Sequence, residues 1–346
     1  MIAIVALARF VLPNGIAVVL DPDPGAASVV VHARYGTDDD PRAAIVEHLM
    51  FRGSTHVADF EGTIDRAGGW ANVVRTFDHT SCITAVPPGA LALALQLEAE
   101  RMVGLTIDAP RIDRARAEIA IDPIAAALDP IATPIAAPNP TDVAAYHRAH
   151  FAPASLTLVV AGRFDEQAAR KLIERDFGWM PSAKVVPSAK VEPPSAERKP
   201  QHEPKPERTP LDGPRDLAIP MGIPRTIHAY RAPAAGRDAR ALDAFAVILE
   251  RRGARASRDE RIFTIEGSVS SATLVPPTDE ELASAHAILE ARLVEALENP
   301  TFRADLAARG STLEREQREL LVTPSEIGDA ARRWLAESAA LTVRPR

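Results

Sequence analysis

The sequence predicts an α+β protein with two related domains, each a mainly antiparallel sheet packed with helices, the second shortened. Strand and helix patterns mix without the regular βαβ units that would predict a parallel sheet. The order of strand, helix, strands and helices in the first half loosely returns in the second, which favours a duplicated domain. A segment rich in Pro, Lys, Glu and Ser separates the halves and predicts an extended or disordered linker. We therefore expect domains at residues 1–180 and 216–346, joined by a linker at 181–215.

The first half opens with a hairpin signal, because two apolar runs flank Asn14-Gly15. Apolar spacing and glycine or proline stops define the later elements. In the helix predicted at 88–103, we expect Glu98, Glu100 and Arg101 to face solvent. The further predicted elements are a strand at 28–35, helices at 42–51 and 60–67, two strand segments within 72–86, helices at 88–103, 109–121 and 142–150, a buried strand at 155–161, and a helix at 165–177.

The second half is less regular. Its predicted elements are a strand at 226–230, a helix at 238–250, strands within 262–274, and helices at 279–297, 307–321 and 324–338.

Composition and charge exclude several classes of function. The net charge of −7 gives no general attraction to nucleic acid or anionic membranes. No run approaches the roughly 20 apolar residues that span a bilayer. The apolar N-terminus lacks a basic region and a convincing cleavage site, so we expect no signal peptide and a cytoplasmic protein. The single cysteine, Cys82, excludes an internal disulfide framework.

Glu47 and His48 carry catalytic potential on the helix predicted at 42–51. In the motif H-x-x-E-H, two imidazoles one helical turn apart bind a zinc ion, and the glutamate deprotonates the metal-bound water. Here the position one turn before His48 is Ala44, which offers no ligand. A Glu-His pair alone is more often an ordinary helix surface.

The surroundings of this pair form a longer pattern, which resembles the insulinase, pitrilysin and mitochondrial processing peptidase family of zinc metallopeptidases. The resemblance covers nearly all of residues 10–180 in order and is fainter over 225–346. The motifs are the hairpin at 12–20, Val46-Glu-His-Leu-Met-Phe-Arg-Gly-Ser54, Gly68-Gly-Trp-Ala-Asn72 with Asp78-His-Thr80, Glu100-Arg-Met102, and Thr157-Leu-Val-Val-Ala-Gly162.

The resemblance implies that Glu47 corresponds to the general base and His48 to a zinc ligand. It places the third ligand, a glutamate in the family, at Asp122, with Glu118 as the alternative. A supporting glutamate of the family falls at Ala115.

Three positions thus depart from the family pattern, namely Ala44, Ala115 and Asp122. We therefore expect a vestigial site that binds no zinc, and no other cofactor. His56 and His79 could in principle substitute as ligands, but each is interpreted as a surface or strand histidine.

The resemblance also implies a peptide-binding edge strand, in which backbone groups pair with an extended substrate. The corresponding residues here are Asn72, Val73, Val74 and Arg75, and Arg75 would favour acidic peptides. The alternative is an ordinary strand that completes the sheet.

Three functions are open at this point. The leading hypothesis is a non-catalytic subunit that pairs with an active zinc peptidase and helps to form its peptide-binding chamber. The second is a structural scaffold subunit of a larger complex, and the third is a zinc-dependent endopeptidase with unconventional ligands. The expected partners are a homologous zinc-peptidase subunit or a larger protein complex, with extended peptides as a further candidate ligand.

Overall fold

A computed structural model describes residues 7–37, 40, 42–75, 79–119, 123–128, 138–182, 215–219, 226–233, 236–258, 262–267, 274–336 and 339–345. They form two compact units. The first unit takes its described residues from 1–120, 134–202 and 296–311, and the second takes them from 121–133, 203–295 and 312–346. Two segments, 121–133 and 296–311, therefore group differently from the contiguous domains that we expected. Apart from residues 181–182 and Arg215, the predicted linker lies outside the described residues.

The strands are β1 (Ala8–Val11), β2 (Ala17–Pro22), β3 (Val29–Gly36), β4 (Trp70–Arg75), β5 (His79–Val86), β6 (Leu156–Gly162), β7 (Arg215–Ile219), β8 (Ile227–Arg231), β9 (Arg255–Arg258), β10 (Ile262–Glu266) and β11 (Leu341–Pro345). The α-helices are α1 (Arg42–Arg52), α2 (Phe60–Arg66), α3 (Leu91–Val103), α4 (Ala109–Glu118), α5 (Pro123–Leu128), α6 (Pro140–His150), α7 (Glu166–Phe177), α8 (Arg237–Arg251), α9 (Asp279–Ala296), α10 (Pro300–Ala308), α11 (Leu313–Leu320) and α12 (Pro324–Trp334). No helix in the described part of the chain is long and apolar enough to cross a membrane.

The first unit is built on a sheet in the order β1-β2-β6-β3-β5-β4. β2 and β6 pair in parallel, and the other neighbouring strands are antiparallel. The predicted hairpin at Asn14-Gly15 is confirmed, and Gly15 adopts the left-handed φ of +97° that the turn requires. The buried Asn14 amide also donates to the Phe177 carbonyl at 2.7 Å, which fixes the hairpin to the end of α7.

Helices cover both faces of this sheet. One face carries the main core, with Ile45, Val46 and Leu49 of α1 packed on it. The other face is covered by α10, through Ala304 and Ala307, although α10 comes from far along the chain.

The second unit repeats this topology. Its sheet has the order β7-β11-β8-β10-β9, with β7 and β11 parallel and the other pairs antiparallel. The strands β7, β11, β8, β10 and β9 thus correspond in order and direction to β2, β6, β3, β5 and β4. Leu128 of α5, from the first half of the sequence, packs on this sheet. The predicted α+β class with two related domains is confirmed, and each unit contains one helix from the other half of the chain.

The structure corrects two sequence expectations. Glu98 and Arg101 are buried rather than solvent-facing, and they form an ion pair with 2.7 Å between the nearest atoms. The single helix expected at 307–321 is instead two helices. α10 ends before Gly310, which adopts a φ of +67°, and Thr312 caps the start of α11 with its side chain.

Candidate functional site

Helix α1 carries the candidate site on its half-buried side. The Asp40 carboxylate accepts a hydrogen bond from the Arg42 amide at 2.8 Å and so caps the start of the helix. The helix ends at Gly53, where φ is +117°. Its apolar side packs on the sheet, which leaves Glu47 and His48 directed away from the core with side chains 28% and 19% exposed.

The helix offers no donor one turn before His48. Ala44 is buried, and its methyl group cannot bind a metal ion. Ala115, where the family pattern has a supporting glutamate, is likewise fully buried in the core on α4. Asp122 lies outside the described residues.

Glu118 is the carboxylate that the structure brings to His48. It is the last residue of α4, and its Oε2 atom lies 3.0 Å from His48 Nε2. Glu118, the alternative considered for the third ligand, thus contacts His48, whereas Asp122 stays outside the described residues.

Arg52 contacts both of these groups. Its Nε atom is 3.3 Å from His48 Nε2, and its Nη2 atom forms an ion pair with Glu118 Oε2. One ring nitrogen cannot serve both neighbours, because a bond to the carboxylate requires a proton on it and a bond from the guanidinium requires a lone pair. With a proton on Nε2, His48 donates to Glu118; without that proton, Nε2 accepts from Arg52 Nε.

Glu47 is held by a residue from the sheet. Arg75, at the end of β4, donates from Nε to Glu47 Oε2 at 3.0 Å, and its side chain is 17% exposed. Strand alternation explains the contact, because Arg75 lies opposite Thr80 and on the same face as Val73, which packs against the α1 side of the sheet.

Sequence reasoning missed both arginine contacts. Arg52 follows His48 by four residues, so helical spacing could have placed the two together. Arg75 and Glu47 are separated by 28 residues, and no local pattern predicts their contact.

The two histidines considered as substitute ligands lie elsewhere. His56 is highly exposed and contacts Glu100 Oε2 at 3.1 Å. His79 is buried, with Nδ1 3.1 Å from Arg34 Nη2, and strand alternation places it on the face opposite to α1.

These residues do not fit a zinc ion as they stand. A catalytic zinc site normally has three protein ligands and a water. The described residues contain no group of three or more His, Cys, Asp or Glu side chains arranged to hold a metal. Glu47, His48 and Glu118 each contact a guanidinium group instead.

The edge strand β4 presents different side chains on its two faces. Trp70, Asn72 and Val74 are the outward-facing set, of which Trp70 is 47% and Val74 42% exposed. The Asn72 Oδ1 atom accepts a hydrogen bond from the Val73 amide at 2.9 Å, so the Asn72 side chain occupies one backbone donor of this strand.

Tyr35, Glu98 and Arg101 form a buried polar cluster that packs against the end of α1. Tyr35 donates to Glu98 at 2.6 Å, and Arg101 lies over the ring of Phe51, at the end of α1, with 5.5 Å between guanidinium carbon and ring centroid. Burial raises the pKa of Tyr35 well above its usual range, and the Glu98 charge adds to the effect. Tyr35 is therefore a neutral hydrogen-bond donor. The cluster consists of this phenol and the Glu98–Arg101 ion pair, and it contacts α1 through the ring of Phe51.

The comparisons with known proteins agree with this architecture. Residues 139–275 match the sequence model of the family described as the Peptidase M16 inactive domain. The matched stretch runs from α6 into the second unit and does not include α1. No curated protein matches the chain by sequence.

Several solved structures share the fold over the full chain. A protease from Helicobacter pylori superposes with a TM-score of 0.73 at 17% identity, covering 99% of both chains. A putative M16-like peptidase from Alicyclobacillus acidocaldarius gives 0.72 at 16% identity, covering 99% of this chain and 98% of the other. The periplasmic protease PqqL from Escherichia coli gives 0.64 at 13% identity, covering 98% of this chain and 47% of the other. Residues 139–275 therefore resemble the Peptidase M16 inactive domain, and the chain as a whole shares the fold of these M16-like proteases, with the helix motif A-x-x-E-H in α1.

Proposed function

We propose that this chain is a non-catalytic M16 subunit, which pairs with a homologous active zinc peptidase and helps to form its peptide-binding chamber. The observation that carries the proposal is the ion pair between Glu47 and Arg75, at 3.0 Å, beside a helix with no ligand at Ala44. A general base must reach the proton that it removes. Glu47 is instead engaged by a guanidinium group from the sheet.

The edge strand supports a role in peptide handling. An extended peptide can add to a sheet edge through main-chain hydrogen bonds, which do not depend on catalytic residues. β4 ends the described sheet of the first unit, and its exposed Trp70 and Val74 would contact alternate side chains of an added strand. Asn72 would have to release the Val73 amide for such a strand to pair fully.

That same hydrogen bond favours the second candidate, a scaffold subunit without a role in peptide handling. Proteins protect exposed sheet edges against pairing with other chains, and the Asn72 side chain here accepts a hydrogen bond from the backbone amide of Val73 on such an edge strand. A chain with this function would bind its complex through other surfaces, and its edge strand would be inert.

The isolated chain tests the non-catalytic assignment. We expect no bound zinc by metal analysis and no cleavage of peptide libraries. About one zinc per chain with chelator-sensitive cleavage would contradict it and support the third hypothesis, an endopeptidase with unconventional ligands.

Co-expression with a homologue that has an intact H-x-x-E-H motif tests the pairing. We expect a stable heterodimer whose peptide cleavage exceeds that of the partner alone. In the pair, Val74→Glu should weaken peptide binding, as measured by KM, because it places a charge on the outward face of β4. Val294→Glu is the matched control, since Val294 of α9 is exposed to the same degree, 41% against 42%. A heterodimer with unchanged KM in both variants would favour the scaffold function.

A further inference from the structure

We propose that Arg52 and Arg75 take the place of the metal cation in this cleft. Their guanidinium groups neutralise Glu118 and Glu47, and they exclude zinc even when the missing histidine is restored. The inference rests on the proposed function and assigns the loss of metal binding to two named arginines, in addition to the missing ligand.

Arg75 neutralises the carboxylate of Glu47. Its side chain reaches from β4 to Glu47, and both are largely shielded, at 17% and 28% exposure. A cation beside a half-buried carboxylate offsets part of the cost of removing that charge from water. Threonine at position 75 would be too short to reach Glu47.

Arg52 neutralises the carboxylate of Glu118 and also contacts His48. Its guanidinium lies against His48 Nε2 at 3.3 Å and forms an ion pair with Glu118. A zinc ion bound by His48 and Glu118 would have to occupy the same space as this group. Coulomb repulsion adds to the steric conflict, because two fixed positive charges raise the cost of placing a third cation nearby.

Each of the two described carboxylates has a guanidinium partner. Glu47 and Glu118 contribute two negative charges, and Arg52 and Arg75 contribute two positive ones. An intact zinc site couples metal binding to folding, so that its apoprotein carries uncompensated ligands. In this cleft arginines already pair with Glu47 and Glu118, so we expect added zinc to leave the thermal stability unchanged.

Zinc binding by the full chain tests the assignment, measured by competition with a chromogenic chelator. Ala44→His alone should bind zinc no more than threefold tighter than the unmodified chain. Ala44→His with Arg52→Gln and Arg75→Thr should bind at least tenfold tighter than Ala44→His. Ala44→His with Arg66→Gln is the matched control, because Arg66 is an exposed arginine at the end of α2 that contacts Thr63. Equal zinc affinity of Ala44→His and the triple variant would overturn the proposal.

A second measurement applies if histidine at the buried position 44 prevents folding. Arg75→Thr should lower the thermal midpoint of the first unit by about 2–4 °C, the shift expected for loss of roughly 1 kcal/mol in a domain of about 150–250 residues. Adding Glu47→Gln should recover at least half of the loss, because it removes the carboxylate charge that Arg75 neutralises. Strictly additive effects of the two substitutions would overturn the role of Arg75.

Different results would refute the proposed function and the cation role of the two arginines. Zinc-dependent cleavage by the unmodified chain would refute the non-catalytic function itself. Unchanged zinc affinity in the arginine variants would refute only the assignment of the cation role to Arg52 and Arg75.

Discussion

Glu98 and Arg101 lie one turn apart on α3 with 2.7 Å between carboxylate and guanidinium, and both side chains are 1% exposed. Tyr35 donates to the other Glu98 oxygen at 2.6 Å, while Phe51 and Phe60 face the guanidinium. Breaking a buried ion pair from one side leaves an uncompensated charge, which costs far more than removing both partners together. Because Arg101 packs against Phe51 of α1, this cluster helps to fix the position of the helix that carries Glu47 and His48.

We predict that Glu98→Gln destabilises the first unit by about 3–5 kcal/mol, because Arg101 then loses its counter-ion in the core. The double variant Glu98→Gln with Arg101→Met should recover part of this loss. Urea unfolding followed by fluorescence measures both. An exposed ion pair serves as control: Arg332→Ala, which separates Arg332 from Asp329, should change stability by less than about 1 kcal/mol. Equal losses in Glu98→Gln and Arg332→Ala would contradict the prediction.

Local sequence signals predicted much of the fold. The Asn14-Gly15 hairpin follows from turn chemistry, and helix α1 follows from apolar spacing and the acidic residues before it. The parallel strands β7 and β11 were not predicted, because their pairing joins segments more than 100 residues apart and leaves no pattern in either one. The packing of α10 on the first unit escaped prediction for the same reason.

The candidate site was predictable only in part. Helix periodicity and family resemblance identified Glu47 and His48, and they left Glu118 as an alternative to Asp122. The contact between Arg75 and Glu47 depends on the register of β4 against β5, which determines the face on which Arg75 lies. Register is a tertiary property, so a single sequence could not reveal that Glu47 forms an ion pair with Arg75.

Gly53→Ala should be strongly destabilising. At a φ of +117°, an added Cβ would lie 2.5 Å from the Ala58 carbonyl oxygen and would also meet that of Val57. Backbone strain and this clash together predict a loss of about 2 kcal/mol or more. Gly36→Ala is the control, because a Cβ there meets no atom within 4 Å, and it should be nearly neutral. Similar thermal midpoints for the two variants would show that the turn after α1 is not constrained as described.

Arg303 should control how firmly α10 is held on the first unit. Its guanidinium binds Asp21 and Asp23, at the end of β2, at 2.9 Å each. Arg303→Ala removes both contacts, and we expect local opening to become easier by about 1–2 kcal/mol, or roughly five- to thirtyfold faster amide exchange in residues 300–308. Arg315→Ala, which breaks a single exposed pair with Glu319 on α11, is the control and should leave that exchange unchanged. Unaltered exchange in Arg303→Ala would show that apolar packing alone holds the helix.

Two buried histidines, His32 and His147, should make the protein less stable in acid. His32 of β3 is fully buried beneath α10, and neither ring nitrogen has a hydrogen-bond partner among the described residues. Burial lowers the pKa of His32 from 6.5 to about 4, and Asp305 only partly opposes the effect. Burial likewise lowers the pKa of His147 to about 4, although its Nε2 atom contacts the Arg101 carbonyl at 3.1 Å.

Both histidines stay neutral in the native state and take up a proton on unfolding. Their contribution to stability is therefore fully present above pH 6.5 and is lost as the pH falls from 6.5 towards 4, by at most about 3 kcal/mol for each. His32→Leu should remove the His32 contribution to this pH dependence. It should not lower the free energy of unfolding at pH 7.5, because no hydrogen bond is broken. His147→Leu should remove a similar share but cost about 1 kcal/mol at pH 7.5, since the Arg101 carbonyl loses its donor. Urea midpoints at pH 7.5 and 5.0 distinguish the two variants, and a full pH dependence in His32→Leu would mean that His32 is already protonated in the folded protein.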